Sequence, residues 1–137
     1  MHKVYVDGAC RPNPGRGAYG YIIYNQNGRE VKRENGPVGE YVTNNIAEYT
    51  AVIKALRAAK AMAVECLAVY SDSQLVVKQL NGDFNVYDPK IRQLYEEALS
   101  LQEFFAKVEY IHIRRSQNRL ADALTDQYYL QRCSRAV

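Results

Sequence analysis

Apolar and polar residues alternate along the first third of the chain, which predicts extended strands rather than helices. Residues 4–7 alternate in this way and end at a glycine, and residues 18–24 form a second, more apolar run. Asn27 and Gly28 form the dipeptide that most often turns a two-residue hairpin, so residues 30–38 should return antiparallel to the second run. The pattern therefore predicts three consecutive antiparallel strands.

After the third predicted strand, apolar residues recur at helical spacing. Thr43 or Asn44 can cap a helix over residues 45–62, and the short apolar run at residues 67–71 is typical of a buried parallel strand. The rest of the chain predicts a helix, a second helix, a strand and a last helix, at residues 73–80, 88–105, 108–113 and 119–132.

This order of elements predicts the fold class. An antiparallel meander followed by alternating strands and helices is typical of a mixed sheet with helices on its faces. We therefore expect an α/β fold with a five-stranded mixed sheet, in which a three-strand antiparallel meander is joined by two parallel strands and flanked by helices. Residues 1–137 contain no repeat and no linker, so they should form a single domain.

Composition and charge exclude several classes of protein. Hydrophobic residues at 47% and charged residues at 24% are typical of a globular domain and exclude a disordered chain. No run approaches the roughly 20 apolar residues that span a bilayer, and the first strand begins too early for a signal peptide. We therefore expect a cytoplasmic protein with no membrane partner. The net charge of +3 permits a polyanionic partner without requiring one.

The three cysteines predict neither a zinc site nor a disulfide framework. Cys10, Cys66 and Cys133 are widely spaced and form no CxxC pair. We expect buried free thiols in a reducing compartment. A disulfide remains an alternative for a hyperthermophilic source, where intracellular disulfides occur.

Acidic residues stand at positions where a carboxylate needs a partner. Asp7 ends the first predicted strand and Asp72 the fourth, and sites in open α/β sheets form beyond such strand ends. Glu48 lies one turn into the long helix, on the face that should pack against the sheet. An unpartnered buried carboxylate costs on the order of several kcal/mol, so these positions call for a specific role.

Asp122 repeats this pattern in the last predicted helix, whose apolar side should include Leu120 and Leu124. Carboxylates that converge without matching bases raise one another's pKa, and divalent cations remove that repulsion. Magnesium prefers oxygen ligands, and two ions about 3.5–4 Å apart can hold both the attacking and the leaving oxygen of a phosphodiester. Any one of these acids alone is more often a turn or capping residue, but the set of four indicates a metal site.

Four blocks of the sequence resemble the motifs of type 1 ribonuclease H. They are DGAC with NPG, TNNIAE, SDSQ and RSQNRLAD, at residues 7–10 with 13–15, 43–48, 71–74 and 115–122. One block alone is a weak signal, but four in this order and at these separations are specific, and the similarity runs over nearly the whole chain. The resemblance implies a ribonuclease H-like fold and an endonuclease that hydrolyses the RNA strand of RNA–DNA hybrids.

The resemblance also implies the cofactor and the role of each acid. Two Mg²⁺ ions would bind with the substrate, and Mn²⁺ would be a substitute. Asp7 would contact both ions, and Asp122 would complete the ion that activates the attacking water. Glu48 and Asp72 would hold the ion facing the leaving 3′ oxygen, so the products would carry 5′-phosphate and 3′-hydroxyl ends. Glu48 would also sense a ribose 2′-hydroxyl, which distinguishes RNA from DNA.

A further set of residues matches family positions that contact the hybrid. The set is Gly8, Asn13, Thr43, Asn44, Asn45, Gln74 and Asn118. Thr43 matches a position that binds a DNA phosphate, and most of the amides match positions in the minor groove, where an amide can both donate and accept hydrogen bonds. Simpler roles remain open: Asn44 and Asn45 can be helix-capping residues, Gln74 an exposed first-turn residue, and Asn118 a residue that fixes the loop.

The sequence departs from the bacterial members of this family in three ways. The loop before Asp122 contains no histidine, because His112 falls inside the predicted strand and is expected to be packed there. The shorter loop resembles archaeal and some other bacterial members, in which an arginine at the position of Arg115 is thought to assist catalysis. Residues 81–88 replace the basic handle with a short connector, and Tyr41 stands where bacterial members often place an arginine. The last two departures remove positive charge near the substrate.

Three alternatives remain at this point. Some relatives without the handle also cut RNA–RNA duplexes, so double-stranded RNA is a possible second substrate. A hybrid-binding module that has lost catalysis is disfavoured because all four acids are present. The nuclease domain of a reverse transcriptase is the third alternative, although we expect a stand-alone monomeric enzyme.

Overall fold

The computed structural model describes the backbone of residues 1–135 and the side chains of residues 1–131. The thiol of Cys133 therefore lies outside the described residues. The helices and strands follow the predicted order. They are β1 (His2–Arg11), β2 (Gly15–Tyr24), β3 (Glu30–Val42), α1 (Asn44–Ala61), β4 (Cys66–Ser71), α2 (Gln74–Leu80), α3 (Pro89–Gln102), β5 (Lys107–His112) and α4 (Arg119–Arg135), with a 3-10 turn at Arg115–Gln117.

The five strands form one mixed sheet in the order β3-β2-β1-β4-β5. Strand β2 pairs antiparallel with both β1 and β3, whereas β4 runs parallel to both β1 and β5. This arrangement confirms the predicted meander joined by two parallel strands. Strand β1 is central, with an antiparallel neighbour on one side and a parallel neighbour on the other.

The prediction that Asp7 ends the first strand was wrong, because β1 continues to Arg11. Its antiparallel pairing with β2 runs from Lys3 to Arg11, whereas its parallel pairing with β4 stops at Val6 and Ser71. Asp7 and Asp72 are the next residues along these two strands. The crevice therefore opens where the parallel pairing ends, in the middle of β1.

Helix α1 packs one face on the sheet. Thr43 caps its first turn, where the side-chain oxygen accepts a hydrogen bond from the backbone N–H of Ile46 at 3.3 Å. Glu48 is buried on the same face as Ala51 and Val52, which confirms its predicted orientation toward the sheet.

Helix α4 covers the other face of the sheet, near β1 and β2. A side chain at Gly20 of β2 would come within 2.8 Å of the Cβ of Leu124, so the helix and the strand are in close contact. The buried stripe of α4 consists of Ala121, Leu124 and Thr125, whereas Leu120 is 57% exposed. The prediction that Leu120 belongs to the apolar side was wrong: although it lies one turn before Leu124, it stands in the first turn of α4, where its side chain is exposed.

The thiols of Cys10 and Cys66 are both free. The expected burial is confirmed for Cys10, whereas Cys66 is only partly buried. Among the described residues, none of the helices combines the length and the apolar character that a membrane crossing requires.

Candidate active site

A cavity of about 250 Å³ lies where the parallel pairing of β1 and β4 ends. The four predicted acids line it, although they come from four different elements of the chain. The charged residues that line the cavity are Asp7, Glu48, Asp72, Asp122 and Arg115. The structure thus brings together, around one cavity, acids that are up to 115 positions apart in the sequence.

Three of the acids form a tight group. Asp7, Glu48 and Asp72 each offer one carboxylate oxygen, and these three oxygens lie within 4.8 Å of one another. Asp122 lines the same cavity without belonging to this group. Its carboxylate lies 3.7 Å from the guanidinium of Arg115, whose side chain is 78% exposed.

Gly8 explains how Glu48 comes to lie beside Asp7. A Cβ atom at Gly8 would lie 2.2 Å from the carbonyl oxygen of Ala47, so no other residue fits this contact between β1 and α1. The close approach places Glu48 against the middle of β1. Gly8 was predicted to bind substrate; its position supports a packing role, and direct contact with substrate stays a prediction.

The carboxyl group of Glu48 is nearly enclosed, with the residue only 9% exposed. Its Oε2 atom has no hydrogen-bond partner. Burial first, and then the charges of Asp7 and Asp72, raise the pKa of Glu48 well above its ordinary value, and a hydrogen bond from the backbone of Gly8 opposes that shift. A buried oxygen without a donor needs either a proton or a cation.

The pKa of Asp7 is raised from 3.8 to about 7. Burial is the largest cause, followed by the negative charges of Asp72 and Asp122. A hydrogen bond from the hydroxyl of Thr125 and the positive charge of Arg115 act in the opposite direction. Asp7, like Glu48, is therefore a buried acid that two neighbouring acids repel.

Asn118 positions Asp72 from the start of α4. Its side-chain amide donates to the backbone oxygen of Val6 at 2.8 Å and to the carboxylate of Asp72 at 3.4 Å. Burial raises the pKa of Asp72, and the hydrogen bond from Asn118 and the charge of Arg115 oppose this. Asn118 is only 1% exposed, so its position supports the loop-fixing alternative more than the predicted contact with substrate.

The residues of this cluster fit a divalent cation. The three grouped donors are all carboxylate oxygens, which are the ligands that Mg²⁺ prefers, and one buried oxygen of Glu48 has no partner within the protein. Among the described residues that line the cavity, the one basic side chain is that of Arg115, which is mostly exposed and pairs with Asp122. The protein thus supplies acidic ligands in excess of the positive charge that would neutralise them.

Known proteins place the chain in a family. A family profile described as "Reverse transcriptase-like" matches residues 5–127. Ribonuclease HI of Halobacterium salinarum is 38% identical over 123 residues, which are 90% of this chain and 61% of that protein. The chain belongs to the ribonuclease H family. It spans 61% of the length of that curated relative. The predicted resemblance to the ribonuclease H family is confirmed.

Solved structures of ribonuclease H proteins share the whole fold. The crystal structure of ribonuclease H1 from Halobacterium salinarum superposes with a TM-score of 0.91 at 35% identity, covering 95% of this chain and 98% of that one. The crystal structure of LC11-RNase H1 in complex with an RNA/DNA hybrid gives a TM-score of 0.87 at 27% identity, covering 93% and 96%. The predicted ribonuclease H-like fold is therefore confirmed.

A polar cluster of this ribonuclease H family member borders the cavity at the turn between β1 and β2. The backbone N–H of Asn44 donates to the side-chain oxygen of Asn13 at 3.2 Å. The side-chain oxygen of Asn44 accepts hydrogen bonds from the backbone N–H of Cys10 at 3.0 Å and from its thiol at 3.2 Å. The two bonds from Cys10 orient the side-chain amide of Asn44, and the bond to Asn13 fixes its backbone. Asn44 and Asn45 both line the cavity.

Two other predicted substrate contacts lie at helix starts. Thr43, whose side chain caps α1, is exposed on the outer side of that turn. Gln74 is the exposed first residue of α2, directly after the capping residue Ser73, and it does not line the cavity. Both positions are open to a ligand, and their contacts with substrate stay predictions.

His112 is the last residue of β5 and is exposed. The prediction that it is a packed strand residue was wrong, since β5 is an edge strand and its last side chain reaches solvent. Its positive form lowers the pKa of Asp72, although this is the smallest of the named causes. Arg115 remains the basic group that lines the cavity.

Sequence reasoning missed Thr125. This residue is fully buried on α4, and its hydroxyl lies 3.1 Å from the carboxylate of Asp7. The available signal was a polar residue on the apolar stripe of a helix, three positions after Asp122. The sequence alone did not show which group the hydroxyl would reach.

Proposed function

We propose that this protein hydrolyses the RNA strand of RNA–DNA hybrids with the aid of divalent cations and leaves 5′-phosphate and 3′-hydroxyl ends. The observation that supports this most strongly is the group of three carboxylate oxygens within 4.8 Å, one of whose residues has a buried oxygen with no partner. The likeness to LC11-RNase H1, which was solved with an RNA/DNA hybrid, supports the substrate.

Mg²⁺ is the proposed physiological cation, and Mn²⁺ is the proposed substitute, because both favour carboxylate oxygens. Asp7, Glu48 and Asp72 would hold cations at their grouped oxygens, and Asp122, which lines the same cavity, would add a ligand. Bound there, paired divalent cations favour attack by water on a phosphodiester and stabilise the negative charge that develops on its oxygens.

The residues of the chain itself would align the substrate. The backbone around Gly8 and the oriented amide of Asn44 line the cavity together with Glu48. A ribose 2′-hydroxyl at this wall could donate to the carboxylate of Glu48 and accept from the amide of Asn44. Such contacts select RNA on the strand that is cut. Thr43 at the start of α1 would fix a phosphate of the other strand.

Arg115 is proposed to stabilise negative charge on the phosphate during cleavage or to assist product release. Arg115→Ala should lower kcat on a hybrid by about a hundredfold, as expected when one donor to a developing anion is lost. Arg115 is no metal ligand, so the calorimetric affinity for Mg²⁺ should change far less than kcat. The matched control is Arg114→Ala, which removes the same charge from the adjacent position; Arg114 forms no ion pair with Asp122. Equal turnover in the two variants would refute the role of Arg115.

Substrate affinity should depend weakly on salt, because few cations flank the proposed groove. The connector between α2 and α3, residues 81–88, contains two aspartates and no lysine or arginine, and Tyr41 is 76% exposed. Each phosphate contact contributes about 0.9 to the slope of log K against log salt. Tyr41→Arg should therefore add one phosphate contact and steepen the slope by about 0.9.

The matched control for this prediction is Gln26→Arg, which adds the same charge at the far end of the β2–β3 hairpin. Hybrid affinity measured by fluorescence anisotropy across a range of salt concentrations compares the two variants with the wild-type protein. A steeper slope for Gln26→Arg would contradict the predicted path of the DNA strand. A slope for Tyr41→Arg equal to that of the wild-type protein would contradict it as well.

Digestion of strand-labelled duplexes tests the proposed function. The protein is incubated with Mg²⁺ and either an RNA–DNA hybrid, a double-stranded RNA or a double-stranded DNA of the same sequence, with EDTA as the metal-free control. We expect cleavage of the RNA strand of the hybrid with 3′-hydroxyl ends, and none in EDTA. Cleavage of double-stranded RNA as well would widen the substrate range, whereas tight binding of the hybrid without cleavage would indicate an inactive binding module.

A further inference from the structure

Thr125 is a fully buried residue that touches two of the proposed metal ligands. Its hydroxyl oxygen lies 3.1 Å from Oδ2 of Asp7 and 2.7 Å from the backbone oxygen of Asp122. Thr125 is 0% exposed and lies on α4, one turn after Asp122. It therefore links the central strand to the helix that supplies the fourth acid.

Local structure accounts for only one of these two contacts. Threonine in a helix often donates to the backbone oxygen three or four residues earlier, so the contact with Asp122 is ordinary. Asp7 is 118 positions away in the sequence, and the neighbours of Thr125 on the buried stripe are Ala121 and Leu124. An apolar residue of the same shape would satisfy the packing, so the hydroxyl must be explained by Asp7.

Thr125 makes the one side-chain hydrogen bond that reaches the carboxylate of Asp7 among the described residues. Glu48 and Asp72 repel that carboxylate from inside the cavity, and both lie within 4.8 Å of it. Without this donor, no side-chain hydrogen bond among the described residues would hold the carboxylate of Asp7 against that repulsion. A hydroxyl has a single hydrogen, so a bond to Asp7 is made in exchange for the bond to the helix backbone.

We infer that Thr125 is a positioning residue, which holds the carboxylate of Asp7 in the orientation that divalent cations require. This inference rests on the proposed function, since it assumes that Asp7 is a metal ligand. Groups that orient a metal ligand from outside typically contribute a tenfold to hundredfold effect on metal affinity or activity. Thr125 would act in this way from α4, and it would couple the position of Asp7 to that of Asp122.

Two substitutions separate the hydroxyl of Thr125 from its shape. Thr125→Val keeps the branched shape and removes the donor, whereas Thr125→Ser keeps the donor and removes a buried methyl group. Calorimetric titration of the substrate-free protein with Mg²⁺ should give a Kd about tenfold higher for Thr125→Val and close to wild type for Thr125→Ser. Kinetics at limiting Mg²⁺ should show a lower kcat for Thr125→Val with an unchanged KM for the hybrid.

The melting temperature in EDTA distinguishes positioning from a purely structural role. Thr125→Ser should melt at a lower temperature than wild type because it leaves a small cavity, yet it should bind Mg²⁺ normally. If Thr125→Val does not fold, Thr125→Ala removes the same hydroxyl and takes its place in the comparison. Wild-type Mg²⁺ affinity in Thr125→Val, or equal losses in the valine and serine variants, would overturn the inference.

The wild-type protein, measured in the same titration and on the same hybrid, separates this inference from the proposed function. If the wild-type protein and Thr125→Val bind Mg²⁺ and cut the hybrid equally well, only the role of Thr125 is refuted. A wild-type protein that neither binds Mg²⁺ nor cuts the hybrid refutes the proposed function, and the inference with it.

Discussion

Asp7→Asn should reduce the cleavage of an RNA–DNA hybrid at least about a thousandfold, while the protein becomes more stable in the absence of metal. A bound cation is worth several kcal/mol in the transition state, and each 1.4 kcal/mol corresponds to a factor of about ten in rate. The gain in stability has a separate cause, since the neutral amide removes a buried charge that Asp72 and Asp122 repel. Single-turnover kinetics and thermal melts in EDTA measure the two effects.

A matched control for this variant is Asp83→Asn, which neutralises an exposed aspartate in the connector after α2. It should leave both turnover and the melting temperature close to wild type. Asp7→Asn with wild-type turnover would exclude Asp7 as a metal ligand. A large fall in its melting temperature would mean that the loss of activity reflects unfolding rather than lost chemistry.

The metal-free protein should lose stability as the pH rises from about 4 to about 7. The ordinary pKa of an aspartate is 3.8, and the fold raises the pKa of Asp7 to about 7. At a pH between these two values, the folded protein retains a proton that the unfolded chain has lost. Unfolding then releases a proton, and raising the pH favours unfolding. Glu48 and Asp72, whose pKa values are also raised, change stability in the same direction. The loss that Asp7 alone contributes should be on the order of 3 kcal/mol in the free energy of unfolding.

Denaturant unfolding in EDTA, repeated across this pH range, measures that loss. Saturating Mg²⁺ should restore most of the stability at the upper end of the range, because binding to the folded state alone stabilises it. Asp7→Asn should flatten the pH dependence, since one of the groups whose pKa is raised is gone. A metal-free protein whose stability rises between about pH 4 and about pH 7 would contradict the proposed crowding of negative charge.

Local patterns predicted most of the fold. The alternation of the first strands, the Asn-Gly turn and the helical spacing after Thr43 are set by interactions between near neighbours, and the structure follows them. The orientation of Glu48 was also predictable, because the residues that share its helix face are small or apolar. Periodicity alone determines such features.

Contacts between distant segments limited the rest of the prediction. Asp7 was expected at a strand end, but its position depends on where β1 stops pairing with β4, and no local pattern shows this. Leu120 was expected to be buried, but the contact of α4 with Gly20 is made by Leu124 and Ala121, one turn or less further along the helix, and Leu120 is left in solvent. His112 became exposed because β5 is an edge strand.

The supporting residues of the site were the hardest to predict. Thr125 and Asn118 act on acids that are more than 40 positions away, through hydrogen bonds that depend on how α4 sits on the sheet. The resemblance to a family gave the acids, but it suggested contact with substrate for Asn118, and the structure buries that residue beside Asp72. A polar residue on an apolar helix stripe marks such a position in the sequence, but it does not show which distant group the side chain reaches.

Anomalous diffraction from crystals of the wild-type protein soaked in Mn²⁺ tests the account most directly, because Mn²⁺ scatters anomalously and favours the same oxygen ligands as Mg²⁺. We expect a strong anomalous peak among the grouped oxygens of Asp7, Glu48 and Asp72, at about 2.2 Å from its ligands. An empty cavity at saturating Mn²⁺, or a cation bound only at a site away from these three acids, would contradict the claim that the cluster is a metal centre.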